Sequence, residues 1–284
     1  MSDDAQTGGV TVVIPSCNRA HTLPRALDSV LAQTLPAAEI IVVDDGSTDT
    51  TLTLLAERYP AVRCLRHARP RGVSAARNAG IAAARHDWIA LLDSDDAWES
   101  NKLTRQMALA RPEPGYRLVH CDERWLRRGQ PLAQRRYHAK RGGEIFFDCL
   151  PRCVISPSAA LLHRSLLNST GGFDEDLPAC EDYDLWLRIC AREPVAFVAE
   201  PLVIKHGGHA DQLSRTVPAL DRFRIQALVK LLTTTSLTPE QRHAARAMLR
   251  LKRDIFVAGA RKRGRDTVAD TLTALCQSVL RDLA

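Results

Sequence analysis

The first hundred residues repeat one unit: a short unbroken apolar run, a stop at acidic or glycine residues, then a helical pattern. Val10-Thr-Val-Val-Ile-Pro15 is such a run, and Leu23, Leu27, Val30 and Leu31 follow it at helical spacing. Glu39-Ile-Ile-Val-Val-Asp44 is the next, stopped by Asp45-Gly46-Ser47 and followed by a helix over Thr51–Tyr59. Val62–Leu65 reads as a short third strand, Ser74–Ala84 as an alanine-rich helix, and Trp88–Leu92 as a fourth strand. Apolar runs without alternation are strands buried on both faces, as in parallel sheets covered by helices. Their alternation with helices predicts βαβ units, hence an α/β fold with a mainly parallel sheet and helices on both faces.

The middle of the chain is less regular. Tyr116–Cys121 reads as a strand, Asp122–Arg141 as a basic, polar excursion or mobile arm, Ser158–Leu162 as a strand and Asp184–Ala191 as a helix. From Pro218 the pattern becomes purely helical. The predicted stripes are Leu220, Phe223, Ala227, Leu228 and Leu231, then Ala244, Met248, Leu251 and Ile255, then Val268, Leu272, Leu275 and Val279. Thr238-Pro239-Glu240-Gln241 starts the second of these helices, with Thr as N-cap, Pro at the first position and Gln three residues on. The chain therefore divides into a flexible tail (1–9), an α/β domain (10–216, with halves 10–100 and 101–216) and a helical appendage (217–284).

Composition excludes several classes. At 284 residues, 45% hydrophobic and 25% charged, the chain is neither disordered nor fibrous. Its apolar runs fall far short of the ~18 residues a spanning helix needs. Met1-Ser-Asp-Asp-Ala-Gln-Thr-Gly-Gly9 has no apolar core, so it is not a secretory signal and the expected compartment is the cytoplasm. Eight scattered cysteines lack metal-site spacing and read as buried thiols. Residues 217–284 carry 13 Lys/Arg against 6 Asp/Glu, so the basic excess belongs to this C-terminal quarter. Such an excess suits a solvated helix face or an anionic surface. The basic segment lacks interleaved aromatics, which argues against single-stranded nucleic acid as partner.

The chemistry lies in carboxylates placed where strands end. Dinucleotide and P-loop glycine fingerprints are absent, as are G-x-S-x-G and H-E-x-x-H. Asp44-Asp45 ends the second strand and Asp93-Ser94-Asp95-Asp96 ends the fourth. Open α/β sheets bind ligands beyond these ends. Three carboxylates within four residues repel one another unless something positive sits among them, and a hard divalent cation completed by phosphate answers that need. The plainer reading makes them turn formers and a helix N-cap.

Four motifs in order carry a resemblance: Val13-Ile-Pro-Ser-Cys-Asn-Arg19, Ile41-Val-Val-Asp-Asp-Gly-Ser-Thr-Asp49, Ala75-Ala-Arg-Asn-Ala-Gly80 and Leu92-Asp-Ser-Asp-Asp96. They resemble the family 2 glycosyltransferases, of GT-A (Rossmann-like) fold. A fifth stretch, Gly171-Gly-Phe-Asp-Glu175 followed by Glu181-Asp-Tyr-Asp-Leu-Trp-Leu-Arg188, resembles the family's acceptor-side region. The resemblance implies a GT-A domain over 10–216, with a nucleotide-sugar half (10–100) and an acceptor half (101–216). It implies a donor site of Pro15, Ser16, Arg19, Asp45, Arg77, Asp93, Ser94 and Asp95, with Asp45 on the base and Arg77 on a phosphate or the base. It implies Mn²⁺ or Mg²⁺ held by Asp95 with Asp93 and Asp96, with His206 or His209 as a further candidate ligand. Where Cys17 stands, relatives commonly carry an aromatic residue.

Inversion at a sugar carbon needs a base that takes the acceptor's proton. The family's base corresponds to Asp182 of the Glu181-Asp182 pair, unless Asp182 or Asp184 merely caps its helix through Arg188. The expected activity is transfer from a nucleotide-diphosphate sugar, UDP-linked, to a glycan, lipid-linked or protein acceptor. Arg261-Lys-Arg-Gly-Arg265 is either a solvated loop or a peripheral contact with an anionic acceptor or membrane. Two other readings remain: a sugar-phosphate nucleotidyltransferase, or a non-catalytic nucleotide-sugar-binding scaffold.

Overall fold

A computed structural model describes residues 8–110, 115–208, 217 and 219–280. Strands β1 (Val10–Ser16), β2 (Glu39–Asp44), β3 (Arg63–Arg66) and β4 (Trp88–Leu91) alternate with helices α1 (Leu23–Leu31), α2 (Thr51–Arg58) and α3 (Val73–Ala83). These strands pair in parallel in the order β3-β2-β1-β4. Successive β1 side chains enter opposite cores: Val12 and Ile14 join Leu23, Leu27 and Val42, whereas Val13 joins Ile41, Val43 and Ala76. All are fully buried, and each Val, Leu or Ile among them contributes ~1.5–3 kcal/mol. Gly80 lets α3 lie close on the sheet, because a Cβ there would strike Val13.

Beyond β4 come β5 (Ala97–Trp98), α4 (Lys102–Met107), β6 (Leu118–Arg127), β7 (Gln130–Leu132) and α5 (Phe146–Cys149). Then follow β8 (Leu161–His163), α6 (Arg164–Thr170), α7 (Glu181–Cys190) and β9 (Ala196–Gly207). The sheet continues β4-β8-β6-β9-β5. In this half only β6 and β9 are parallel; β4–β8, β8–β6, β9–β5 and β6–β7 are antiparallel. The predicted mainly parallel sheet is thus parallel in its first half and mixed in its second.

The basic arm expected over Asp122–Arg141 is in large part a ribbon. β6 runs on to Arg127, pairs with β9 as far as Gly207, and turns back into β7. Arg128 (φ +52°) and Gly129 (φ +78°) form that two-residue turn, both in the left-handed region. This suits the hairpin twist, and an Arg-Gly pair hides it from sequence. The strand expected at Ser158–Leu162 is a 3-10 turn at Pro157–Ala159 followed by β8.

Helices α8 (Asp221–Thr234), α9 (Pro239–Lys262) and α10 (Asp266–Leu280) share the apolar cluster beneath α3 and α7. The Thr238 capping box forms, with the Gln241 amide donating to Thr238 Oγ1 at 3.2 Å and the Thr238 amide to Gln241 Oε1 at 3.0 Å. Two predicted stripes are displaced. α9 buries Ala245, Leu249, Phe256 and Ala260, leaving Leu251 and Ile255 53% and 60% exposed. α10 buries Ala269, Leu272, Cys276 and Val279, leaving Val268 and Leu275 outside.

Candidate active site

The carboxyl ends of β1, β2 and β4 and the first turn of α7 open on one cleft of about 1070 Å³. Pro15, Cys17, Arg19, Asp45, Arg77, Asp93, Ser94, Asp95, Asp96, Asp182 and His206 all line it. Ser16 does not: it is buried, and its hydroxyl has no hydrogen-bond partner among the described residues. His209 lies outside the described residues.

The first two motifs stitch the rim. The Asn18 amide donates to Ser47 Oγ at 2.8 Å, and Asn18 Oδ1 accepts the Thr48 and Asp49 amides at 2.8 and 3.2 Å. Asp45 is fixed by His67 Nδ1 at 2.7 Å and by the Arg71 and Gly72 amides, both at 2.8 Å. Two of these contacts fall on Oδ1 and one on Oδ2, so Oδ2 keeps a lone pair for a ligand N–H.

The positive charge that the aspartate cluster calls for is protein-borne. Arg77, 3% exposed, donates to Asp93 Oδ1 at 2.7 Å and to Glu181 Oε1 at 2.6 Å. Arg77 thus commits two of its donors to carboxylates while still lining the cleft. Burial works to raise the Asp93 carboxyl, but Arg77 and Lys205 outweigh it and hold it below the ordinary range. Asp96 turns inward, accepting from Ser158 Oγ at 2.7 Å and the His206 amide at 3.3 Å, with Lys205 Nζ 3.7 Å away. Burial pushes its carboxyl up to about 7 despite Lys205. Among the described residues no three His, Cys, Asp or Glu side chains converge as a cation site of their own. Asp93 and Asp95 line the cleft, and carboxylate oxygens are the donor type that suits Mg²⁺ or Mn²⁺. These ions are commonly bound through one or two carboxylates plus substrate phosphates. Burial lowers the His206 ring below its usual range, keeping it neutral.

Across the cleft, α7 opens with Glu181, Asp182 and Asp184, where the helix N-terminus favours negative charge. Cys180 before it holds φ +62°. Asp182 Oδ1 accepts the Tyr183 amide at 2.7 Å and Oδ2 the Cys153 thiol at 3.2 Å. Burial and Asp182 push that thiol well up, so it stays protonated and donates. Asp184 plays the structural part weighed for either residue. It is buried, pairs with Arg188 at 2.6 Å and lies 3.3 Å from Lys230 Nζ. Sequence reasoning missed Lys205, Glu123, Lys140 and Cys153: Glu123 and Lys140 stand among the other charged residues of the basic excursion, and no motif marks any of the four. Lys140 sits 2.8 Å from Glu123 and holds its carboxyl down to about 2 against burial.

The glycosyl transferase family 2 model matches residues 11–171, more than half of the chain. An uncharacterized glycosyltransferase, RP339, of Rickettsia prowazekii is 32% identical over 73% of this chain and 66% of its own length. Escherichia coli WfgD, named a UDP-Glc:alpha-D-GlcNAc-diphosphoundecaprenol beta-1,3-glucosyltransferase, is 30% identical over 63% of this chain and 69% of its own. Against three further Rickettsia relatives the chain spans only 31% to 35% of their length. Staphylococcus aureus TarS 1-349 in complex with UDP-GlcNAc superposes with TM-score 0.66, at 17% identity over 85% of this chain and 70% of that one. The Pyrobaculum calidifontis mannosyltransferase PcManGT, in complex with GDP-Man and Mn²⁺, gives 0.64 at 19% identity over 98% and 88%. These likenesses bear out the GT-A fold, and the chain belongs to glycosyl transferase family 2.

Proposed function

We propose that the chain is an inverting, metal-dependent glycosyltransferase that moves a sugar from a nucleotide-diphosphate donor, UDP-linked, to an acceptor hydroxyl. The observation that carries this is one cleft gathering Asp45, Asp93–Asp96 and Asp182 from separate turns. Asp45 Oδ2 accepts a base N–H, and Pro15 and Arg19 border the nucleotide. Arg77 positions Asp93 and Glu181. Asp95 with Asp93 would hold Mn²⁺ or Mg²⁺, which, when bound, neutralises the leaving diphosphate. Asp182, steadied by Cys153 and the Tyr183 amide, takes the acceptor proton; a single carboxylate suffices because no second residue has to protonate the leaving group.

TarS bound to UDP-GlcNAc, PcManGT bound to GDP-Man and Mn²⁺, and the name of WfgD support a nucleotide-sugar donor. WfgD's diphosphoundecaprenol acceptor favours a lipid-linked glycan here over a protein. Residues 10–216 form the catalytic unit and 217–284 brace it. No described helix is long and apolar enough to cross a membrane. The exposed Arg261–Arg265 turn is the place where an anionic membrane carrying such an acceptor would be met.

Thermal shift with UDP, UDP-sugars and GDP-mannose, with and without Mn²⁺, tests the reading. A ligand at 100 times its Kd adds ~2.7 kcal/mol of stability. UDP-sugar stabilisation is expected to grow with Mn²⁺, and Asp95→Ala to lose that increment while staying folded. Undiminished metal-linked stabilisation in Asp95→Ala would count against the site.

A further inference from the structure

One wall of the cleft is aromatic and has no part in the chemistry above. Trp125 on β6, Tyr137 and His138 line it together with Leu132. The Trp125 and His138 rings lie 4.7 Å apart at 45°, and those of Tyr137 and His138 4.1 Å apart at 60°. Tyr137 is 58% exposed and Leu132 44%. The chain has four tryptophans, and Trp88, Trp98 and Trp186 are 3%, 4% and 1% exposed, so Trp125 alone shows its ring to the cleft.

The wall is built, not loosely draped. Trp125 Nε1 donates to Glu123 Oε2 at 2.9 Å, and Glu123 is in turn held by Lys140 and Ser156. His138 Nδ1 accepts the Arg135 amide at 3.1 Å, which leaves its proton on the other nitrogen. Burial, then Arg152, lowers the His138 ring below its ordinary range, so it stays neutral.

The wall also leads to the base. The Arg152 guanidinium sits 5.5 Å from the Tyr137 ring centroid, and the next residue, Cys153, donates to Asp182. Asp45 and the strand end that would hold the nucleotide belong to the other half of the sheet.

We propose that Trp125, Tyr137 and His138 form the acceptor subsite and that it takes a pyranose ring by stacking. This rests on the transferase reading and names the acceptor's chemistry. The C–H face of a pyranose is apolar and carries slightly positive hydrogens, which match the electron-rich face of an aromatic ring. Its rim of hydroxyls needs hydrogen-bond donors, and Arg127 and Arg152 border the wall with donor-only side chains. The sugar so held presents its hydroxyl toward Asp182.

Tryptophan emission tests this directly, because acrylamide-quenchable emission reports Trp125. The full chain, with UDP and Mn²⁺ present, is titrated with methyl β-D-glucopyranoside, methyl β-D-galactopyranoside and methyl N-acetyl-β-D-glucosaminide. At least one is expected to shield the emission saturably, and Trp125→Phe to abolish the shielding. Tyr137→Ala, at an exposed position, is expected to raise the half-saturating concentration about tenfold. Tyr137→Phe keeps the ring and stays near the unsubstituted value. UDP affinity, by calorimetry, stays unchanged in all three variants. No shielding by any glycoside overturns the subsite, as does a Tyr137→Ala variant that loses UDP affinity, which would give the wall to the nucleotide. In the first case intact metal-linked UDP binding leaves the transferase reading standing; absence of UDP binding in the unsubstituted chain would sink that reading instead.

Discussion

Asp182 and Asp184 stand two residues apart in one acidic helix turn, and their surroundings give them different work. Asp182 lines the cleft and meets a thiol and an amide, whereas Asp184 is sealed against Arg188 and Lys230. Asp182→Asn keeps the shape but cannot take a proton, so transfer should fall ~10²–10⁴-fold with UDP affinity unchanged. Rate and calorimetry on the same preparation check this, and lost UDP binding would misplace the acceptor side. Asp184→Asn leaves buried Arg188 short of its carboxylate, while Lys230 keeps Asp174 at 2.5 Å. It should cost roughly 3 kcal/mol in urea unfolding while sparing the rate per folded molecule.

Among the elements, α9 shows how a helix with two apolar stripes chooses one. Ala244, Met248, Leu251 and Ile255 are as periodic as Ala245, Leu249, Phe256 and Ala260, and periodicity alone does not rank them. The second set wins because Lys252, one turn before Phe256, reaches the Pro151 carbonyl at 3.0 Å and small Ala245 and Ala260 admit neighbouring helices. Phe256→Ala should therefore cost about 3–5 kcal/mol. Ile255→Ser should stay within about 0.5 kcal/mol. Equal denaturation midpoints for the two variants would mean the face is assigned wrongly.

At the scale of the molecule, His120 couples the fold to pH. It is fully buried, its Nε2 lies 3.0 Å from the Arg141 carbonyl, and burial drives its ring from 6.5 down to about 3. Between those values the unfolded chain binds a proton that the folded chain refuses. Stability is thus lost as pH falls from 6.5 toward 3, at up to ~1.4 kcal/mol per pH unit. His120→Phe should flatten that part of the acid profile, measured by urea unfolding at several pH values. Ending the chain at Thr216 removes α8–α10 and bares the face of α7 beneath them, with Tyr183 and Trp186 in the same cluster. That chain should melt lower and aggregate; equal stability and solubility would make 217–284 an independent module.

The sequence by itself determined the parallel half of the sheet and the carboxylates at its strand ends. Unbroken apolar runs and their stops are local signals, and the βαβ connection has one favoured hand. It also determined the Thr238 cap, whose partners lie three residues apart. What only tertiary structure decided has partners far away in the chain. The β6–β7 ribbon exists because β9, some eighty residues later, pairs with it. Arg77 met Asp93 and Glu181, Asp96 turned inward to Ser158, and Lys205 entered the cleft beside Asp96, through contacts 16 to 110 residues long. Charge placed in a buried site is settled by whichever opposite charge the fold brings beside it, and spacing along the chain carries no record of that.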